Sequence, residues 1–323
     1  MSRNYHHLTS DLRCQIYILK KRGESVVQVS KELGVHRSTI YRELKRNSGK
    51  RGYRYKQANE KALRRRDRAS KRKVKMTQMT IFMIKEKLNL QWSPEQISGW
   101  LKKMEYKKYV CHETIYQYIW RDKAKKGLLY KNLRHSGKKY NKRSKGMAGR
   151  GCIPHRVDID KRPDIVEKKI RLGDWELDTI IGTEQSGAIV SIVDRASKLT
   201  KLIKVFRRTS QEVTDALIRG LRPLKRFVLT LTADNGKEFT NHQKVSEILK
   251  AEFYFAKPYH SWERGLNEHT NGLVRQYFPK TKRFDEISEE DLMEVEILLN
   301  NRPRKVLEFE SPIEVFNRLS KAA

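Results

Sequence analysis

Trp175-Glu176-Leu177-Asp178-Thr179-Ile180-Ile181-Gly182, followed after Gly187 by Ala188-Ile189-Val190-Ser191-Ile192-Val193, decides the fold. Both are strand-length runs rich in β-branched residues and bounded by Gly182 and Gly187, and Leu199–Phe206 makes a third. Beyond them the period changes. Ser210–Leu221 reads as a helix, and Phe227–Thr232 as a strand ending in Ala233-Asp234-Asn235-Gly236. A helix near His242–Lys250, a short strand Glu252–Ala256 and a helix from about Gly265 to Tyr277 complete the series. Three successive strands followed by alternating helices and strands imply a mixed α/β sheet with helices on its faces.

That element order is the order of the ribonuclease H-like fold, and three carboxylates stand out on it. Asp178 projects from the first strand on the side opposite Trp175, Leu177, Thr179 and Ile181. Asp234 closes the fourth strand, at the end where open sheets place their chemistry, and Glu268 falls on the first turn of the later helix. An acidic residue inside a strand is costly unless something pairs with it. Gathered together, three would repel one another unless divalent cations hold them ionised. An all-oxygen set suits Mg²⁺ or Mn²⁺, which keep positions for water and phosphate. Two such ions about 3.5–4 Å apart would serve both the attacking and the leaving oxygen in phosphodiester chemistry. Taken singly, each acid has a plainer account: Asp234-Asn235-Gly236 is a turn signal, Asp178 can pair with a core arginine, and Glu268 can serve its helix dipole. On these elements the plainer accounts must succeed three times. Glu268, Asn271 and Arg275 recur at about one helical turn, making Asn271 a candidate to position Glu268 or a water and Arg275 a candidate to clamp a phosphate; Gly272 would admit a backbone.

The 323 residues leave room for roughly two domains, each with its own core. Charge divides them. Residues 1–150 hold 41 Lys+Arg and 11 Asp+Glu, a net of +30, whereas residues 151–323 carry only +3. A half-chain so charged repels itself unless a polyanion neutralises it, and nucleic acid fits that need because each phosphate contact releases counterions. A merely soluble basic protein needs no such asymmetry, and an acidic membrane surface would want an amphipathic anchor that is not found. With a mean hydropathy of −0.79 the chain has no run approaching a membrane span, and Met1–His7 has no apolar signal core. Cys14, Cys111 and Cys152 are too widely spaced for a metal set and read as thiols of a reducing compartment.

Within the basic half, Val26, Val29 and Leu33 share a helical face, Gly34 supplies a turn, and Ile40 and Leu44 repeat at four-residue spacing. This is the helix-turn-helix pattern, in which the second helix enters the major groove of DNA. Arg37, Ser38, Tyr41 and Arg42 would face base edges, with Arg46 near the backbone; Arg37 or Arg42 could pair with guanine, a contact worth about 1–3 kcal/mol of discrimination. An ordinary helical hairpin with a solvated cationic face is the plainer account. A second helix-turn-helix-like segment runs from Ser93-Pro94-Glu95-Gln96, a capping signature, to His112–Trp120, with Trp100 and Ile115 equally explained by core packing. Between the two, Arg64–Lys73 is a charge run suited to phosphates. Lys123–Arg150 holds eleven Lys+Arg and no acid and cannot build a core, so it reads as a linker.

Three blocks carry a resemblance: Gly-Asp-Trp-Glu-Leu-Asp-Thr-Ile-Ile-Gly (173–182), Thr-Ala-Asp-Asn-Gly-Lys-Glu-Phe (232–239) and Trp-Glu-Arg-Gly-Leu-Asn-Glu-His-Thr-Asn-Gly-Leu-Val-Arg-Gln-Tyr-Phe-Pro-Lys (262–280). With Asn-Asn-Arg-Pro-Arg-Lys (300–305) and Ser-Pro-Ile-Glu-Val-Phe (311–316), the chain resembles the IS-thirty family of insertion-sequence transposases over nearly its whole length. The resemblance implies an integrase-type catalytic core with a DDE triad of Asp178, Asp234 and Glu268, the last two separated by 33 residues. It also implies an N-terminal region that binds terminal inverted repeats and helps choose the target.

The resulting expectation is a transposase of bacterial type, cytoplasmic and nucleoid-associated, that binds its element's ends and, with Mg²⁺ or Mn²⁺, cleaves and transfers DNA strands. Pairing two double-stranded ends requires a homodimer or larger on DNA. Expected domains are a helix-turn-helix over 1–62, a basic helix and second hairpin over 63–122, a linker over 123–165 and the ribonuclease H-like core over 166–323. The competing readings are a DNA-binding regulator with a silent C-terminal domain and a hydrolase of RNA–DNA hybrids, which would need no sequence-reading hairpin.

Overall fold

A computed structural model describes residues 7–72, 76–134, 153–257 and 265–322. Residues 135–152 of the expected linker, Lys73 of the charge run and Trp262–Arg264 of the long motif lie outside the described residues. The chain divides into two compact units, 1–77 and 78–323.

The first unit is helical. Helices α1 (Ser10–Lys21), α2 (Val26–Glu32), α3 (Arg37–Asn47) and α4 (Tyr55–Arg72) follow in order, so α4 runs across the boundary expected at 62. Helix α2 starts on a capping box in which Ser25 and Gln28 each serve the other's backbone N–H. Gly34 turns the chain into α3 at φ +62° with open space around it, so the position demands a backbone sign rather than room. Ile16, Leu19, Val29 and Ile40 form the core, with Val26, Leu33, Val35 and Leu44 against it. Arg13, 8% exposed, donates to Glu43 Oε1 at 2.9 Å, Leu8 O at 2.8 Å and Asn59 Oδ1 at 3.2 Å, which ties α1, α3 and α4 together. Burial and the Glu43 charge push the Tyr53 phenol above its usual range.

The second unit begins with α5 (Gln78–Asn89), α6 (Pro94–Lys103) and α7 (His112–Ala124). The capping signature holds: Ser93 and Gln96 close a box with Pro94 in the first turn. Trp92 meets Trp100 edge-on at 5.8 Å, so Trp100 is packing, and Ile115 is fully buried. Helix α6 rests on the C-terminal segment. A Cβ at Gly99 would lie 2.2 Å from the Phe309 ring, and Glu95–Lys305 and Lys103–Glu310 pair at 2.7 and 3.0 Å.

After a single turn, α8 (Ile165–Lys168), come β1 (Asp174–Ile181), β2 (Ala188–Asp194) and β3 (Thr200–Val205). Helix α9 (Ser210–Leu221), β4 (Thr230–Ala233), α10 (His242–Leu249), β5 (Glu252–Phe255), α11 (Gly265–Tyr277), α12 (Glu289–Asn300) and α13 (Pro312–Ser320) follow. Strand β4 starts later than expected because Arg222–Phe227 winds into a 3₁₀ helix. The sheet order is β3-β2-β1-β4-β5, with β1–β3 antiparallel and β1, β4 and β5 parallel, which is the ribonuclease H-like arrangement. One face carries Trp175, Leu177, Val190 and Ile192 against Val213 and Leu217 of α9. The other carries Ile180 and Ile189 against Leu273 and Val274 of α11 and Leu299 of α12. Two-residue alternation therefore puts Glu176, Asp178 and Ile180 on the face that α11 covers. No helix among the described residues is long and apolar enough to cross a membrane.

Candidate functional site

The parallel pairing of β1 with β4 runs towards the two candidate aspartates. Glu176 of β1 stands level with Thr232 of β4. Asp178 lies two residues beyond Glu176 on β1, and Asp234 two residues beyond Thr232, just past the end of β4 at Ala233. Asp178 is half-buried and held from two sides: Oδ1 accepts the Thr179 N–H at 2.9 Å, and Oδ2 accepts Asn271 Nδ2–H at 2.7 Å. Asn271 Oδ1 in turn accepts the Ser191 hydroxyl at 2.8 Å, so one amide joins α11, β1 and β2. Asp234 Oδ1 accepts the Gly236 N–H at 3.0 Å, and the next residue, Asn235, accepts from Arg156 at 2.6 Å and donates to Ala256 O at 2.7 Å. The turn signal at 234–236 is thus real, and it fixes the aspartate at the strand end.

Glu268 lies exposed on the first turn of α11. Asn271 donates to Asp178. Arg275 donates to Ile181 O at 2.6 Å and lies 5.2 Å from the Phe284 ring centre, which binds α11 to the end of β1.

Sequence reading missed the polar layer beneath these residues. Glu176, 1% exposed, accepts the Asn267 N–H at 3.3 Å and faces Arg195 Nη1 at 3.0 Å. That N–H does not point at the oxygen, so the contact is ionic rather than a directed hydrogen bond. Arg195, 2% exposed, also reaches Glu167 at 2.9 Å. Glu238, 6% exposed, accepts the Thr179 hydroxyl at 2.8 Å and faces Arg208 at 3.6 Å. The signal for Glu176 was present, since it shares a strand face with Asp178; nothing in the local sequence marks Arg195 or Glu238.

Among the described residues, no three His, Cys, Asp or Glu side chains form a ready-made metal group. The donor chemistry nevertheless fits a hard divalent cation. Mg²⁺ commonly takes one or two carboxylates and completes its shell with water and substrate phosphate, which asks only for a pair such as Asp178 and Asp234.

In the first unit, α3 turns Ile40, Glu43 and Asn47 inward and leaves Arg37, Tyr41, Arg42 and Arg46 exposed, with Ser38 half-buried. His36 caps the helix by accepting the Ser38 N–H at 3.2 Å. Arg42 donates to Ser38 O at 3.0 Å and Ser38 Oγ at 2.7 Å, which holds its guanidinium along the helix. Arg65 of α4 donates to Arg46 O at 3.2 Å and to Asn47 Oδ1. Arg42, Arg46, Arg65 and Arg66 line one cleft between α3 and α4.

Residues 4–47 match the family model described as a helix-turn-helix domain. The whole chain is similar to the transposase for insertion sequence element IS4351 of Bacteroides fragilis, 44% identical over 316 residues, spanning 97% of this chain and 96% of that protein. It is 33% identical over 322 residues to transposase InsI for insertion sequence element IS30A of Escherichia coli (strain K12), spanning 97% and 84%. The chain belongs to the IS-thirty family of insertion-sequence transposases. Among solved structures, the catalytic core domain of BIV integrase matches 46% of this chain and 95% of its own, at a TM-score of 0.37 and 21% identity. As an IS-thirty family transposase, the chain is a DNA-cleaving and DNA-transferring enzyme that joins an N-terminal helix-turn-helix to a ribonuclease H-like domain.

Proposed function

We propose that this transposase binds the terminal inverted repeats of its own element through α3 and cuts and joins strands with Asp178, Asp234 and Glu268 as its acidic triad. The reading rests on the β1–β4 register, with α11 crossing the same sheet face. In the first step water attacks the phosphorus at the element's end. The bond from phosphorus to the 3′ oxygen breaks, and that oxygen leaves as a 3′-OH. In the second, the freed 3′-OH attacks a target phosphodiester, whose own 3′ oxygen leaves in its place, so the number of phosphodiester bonds is conserved.

Asp178 and Asp234 would hold the divalent cation, with Glu268 completing the set. When bound, one or two Mg²⁺ (or Mn²⁺) ions supply positive charge against the charge that builds on the phosphoryl oxygens. Asn271 keeps Asp178 Oδ2 in place, and Arg275 keeps α11 on β1. Arg37, Ser38, Tyr41 and Arg42 face base edges, and Arg46 the backbone. Two ends must be held at once, so the working form on DNA is a homodimer or larger, acting in the cytoplasm at the nucleoid.

The test incubates the full chain and Asp234→Asn with duplexes carrying the element ends, with and without Mg²⁺. The proposal expects equal binding by both proteins and Mg²⁺-dependent nicking by wild type alone. Equal binding with no nicking by either identifies a DNA-binding regulator and overturns the catalytic assignment.

A further inference from the structure

A cluster of arginines without an acid flanks α11. Arg302 is 2% and Arg304 7% exposed. Arg302 donates to Gln276 Oε1 at 3.2 Å and to the Tyr277 hydroxyl, and Arg304 donates to Leu299 O at 3.0 Å. Those contacts leave Arg302 Nε, Arg304 Nε and Arg304 Nη1 buried with no acceptor among the described residues. Arg134 joins them from the segment after α7. Its guanidinium lies on Gly272, where a Cβ would stand 2.7 Å from the terminal nitrogen, so the missing side chain of that glycine admits an arginine. The carboxylate whose backbone pairs with Arg304, that of Glu310, gives its oxygens to Lys103 at 3.0 Å and Arg318 at 2.7 Å.

Among the described residues, no carboxylate is paired with Arg302 or Arg304. Burial, then Arg302, and then Arg134 push Arg304 down to about 9. Buried guanidinium N–H groups without acceptors are costly, and a planar fork of donors matches an oxyanion. Phosphate is the oxyanion that this location offers. His269 follows Glu268, and Gly272 sits about 6 Å further along the helix axis, within two nucleotide rises of a strand.

We propose that Arg134, backed by the buried positive charge of Arg302 and Arg304, clamps a DNA backbone phosphate one or two nucleotides from the phosphodiester that is cut. The clamp rests on the catalytic reading of Asp178, Asp234 and Glu268, because it takes its distance from Glu268. It sets the strand's register along α11, so that one particular bond reaches the acids.

Arg134→Gln tests it without disturbing the buried pair, since Arg134 is exposed. Duplexes of the element end carry single neutral methylphosphonates at successive positions, and nicking by the full chain is timed. One position within two nucleotides of the cut slows wild type about tenfold, the low end for a charged hydrogen bond. Arg134→Gln slows the unmodified duplex by a similar factor and is slowed no further by that methylphosphonate. Losses that multiply at every position overturn the clamp.

A second measurement needs no catalysis. Against chloride at matched ionic strength, inorganic sulfate raises the Tm of wild type by about 3 °C or more at ten times its Kd and does not raise that of Arg134→Gln. Absence of that difference overturns the site even if wild type proves unable to nick, whereas a sulfate effect in a protein that nicks without methylphosphonate coupling overturns the strand assignment.

Discussion

Arg195→Met should destabilise the sheet unit severely, by a mechanism that a companion substitution reverses. Glu176 is 1% exposed; it faces Arg195 at 3.0 Å and accepts the Asn267 N–H at 3.3 Å. Removing the guanidinium takes its nearest cation, at 3.0 Å, from a carboxylate held in the interior. Breaking a buried pair from one side costs about 3–5 kcal/mol, a large share of the 5–15 kcal/mol that roughly holds a domain together. At about 2–4 °C per kcal/mol for a domain of this size, Tm falls by roughly 6–20 °C. Arg195→Met with Glu176→Met removes both charges and returns the loss to about 1 kcal/mol. The forfeited Glu167 contact adds little, because Glu167 is 62% exposed on its side chain. Urea unfolding of the four proteins of the cycle, followed by the fluorescence of buried Trp175, gives the coupling directly. A single variant within about 1 kcal/mol of wild type, or a double variant no more stable than the single, would refute the argument.

Three further outcomes are expected. Asn271→Ala loses the 2.7 Å donor to Asp178, so the Mg²⁺ concentration for half-maximal nicking rises about 10–100-fold while DNA affinity is unchanged; unaltered Mg²⁺ dependence would detach Asn271 from the site. Arg46→Ala weakens binding to the terminal repeat and reduces the slope of log K against log salt by about 1, measured by fluorescence anisotropy; an unchanged slope would remove Arg46 from the phosphates. Burial, with Lys169 nearby, lowers Lys198 to about 8 from an ordinary 10.5. The folded state therefore binds this proton less well than the unfolded chain, and the penalty is full below about pH 8 and fades as pH rises towards 10.5. Lys198→Met should accordingly raise Tm more at pH 7 than at pH 10; an equal gain at both would remove the linkage.

Some of the site was legible because its causes are local. Val29, Gly34 and Ile40 disclose a helix-turn-helix through spacing alone, and Ser93-Pro94-Glu95-Gln96 starts a helix where its caps say it must. Asp178 could be assigned a face because strand side chains alternate. The roles of Asn271 and Arg275 were not legible in the same way. Both sit at the expected turn spacing, yet one bonds Asp178 and the other a carbonyl of β1, choices made by how α11 lies on the sheet.

By itself, then, the amino-acid order determined the helical periods, the caps, the strand faces, the uneven charge and the three candidate acids, all of which depend on neighbours a few residues apart. Only the tertiary structure decided that β1 pairs in parallel with β4, that Glu176 is buried against Arg195, and that Arg134 comes to rest on Gly272. Those facts come from pairing strands and docking helices that are distant along the chain. Such contacts are selected by the packing of the whole sheet rather than by any local preference, so no window of sequence contains them.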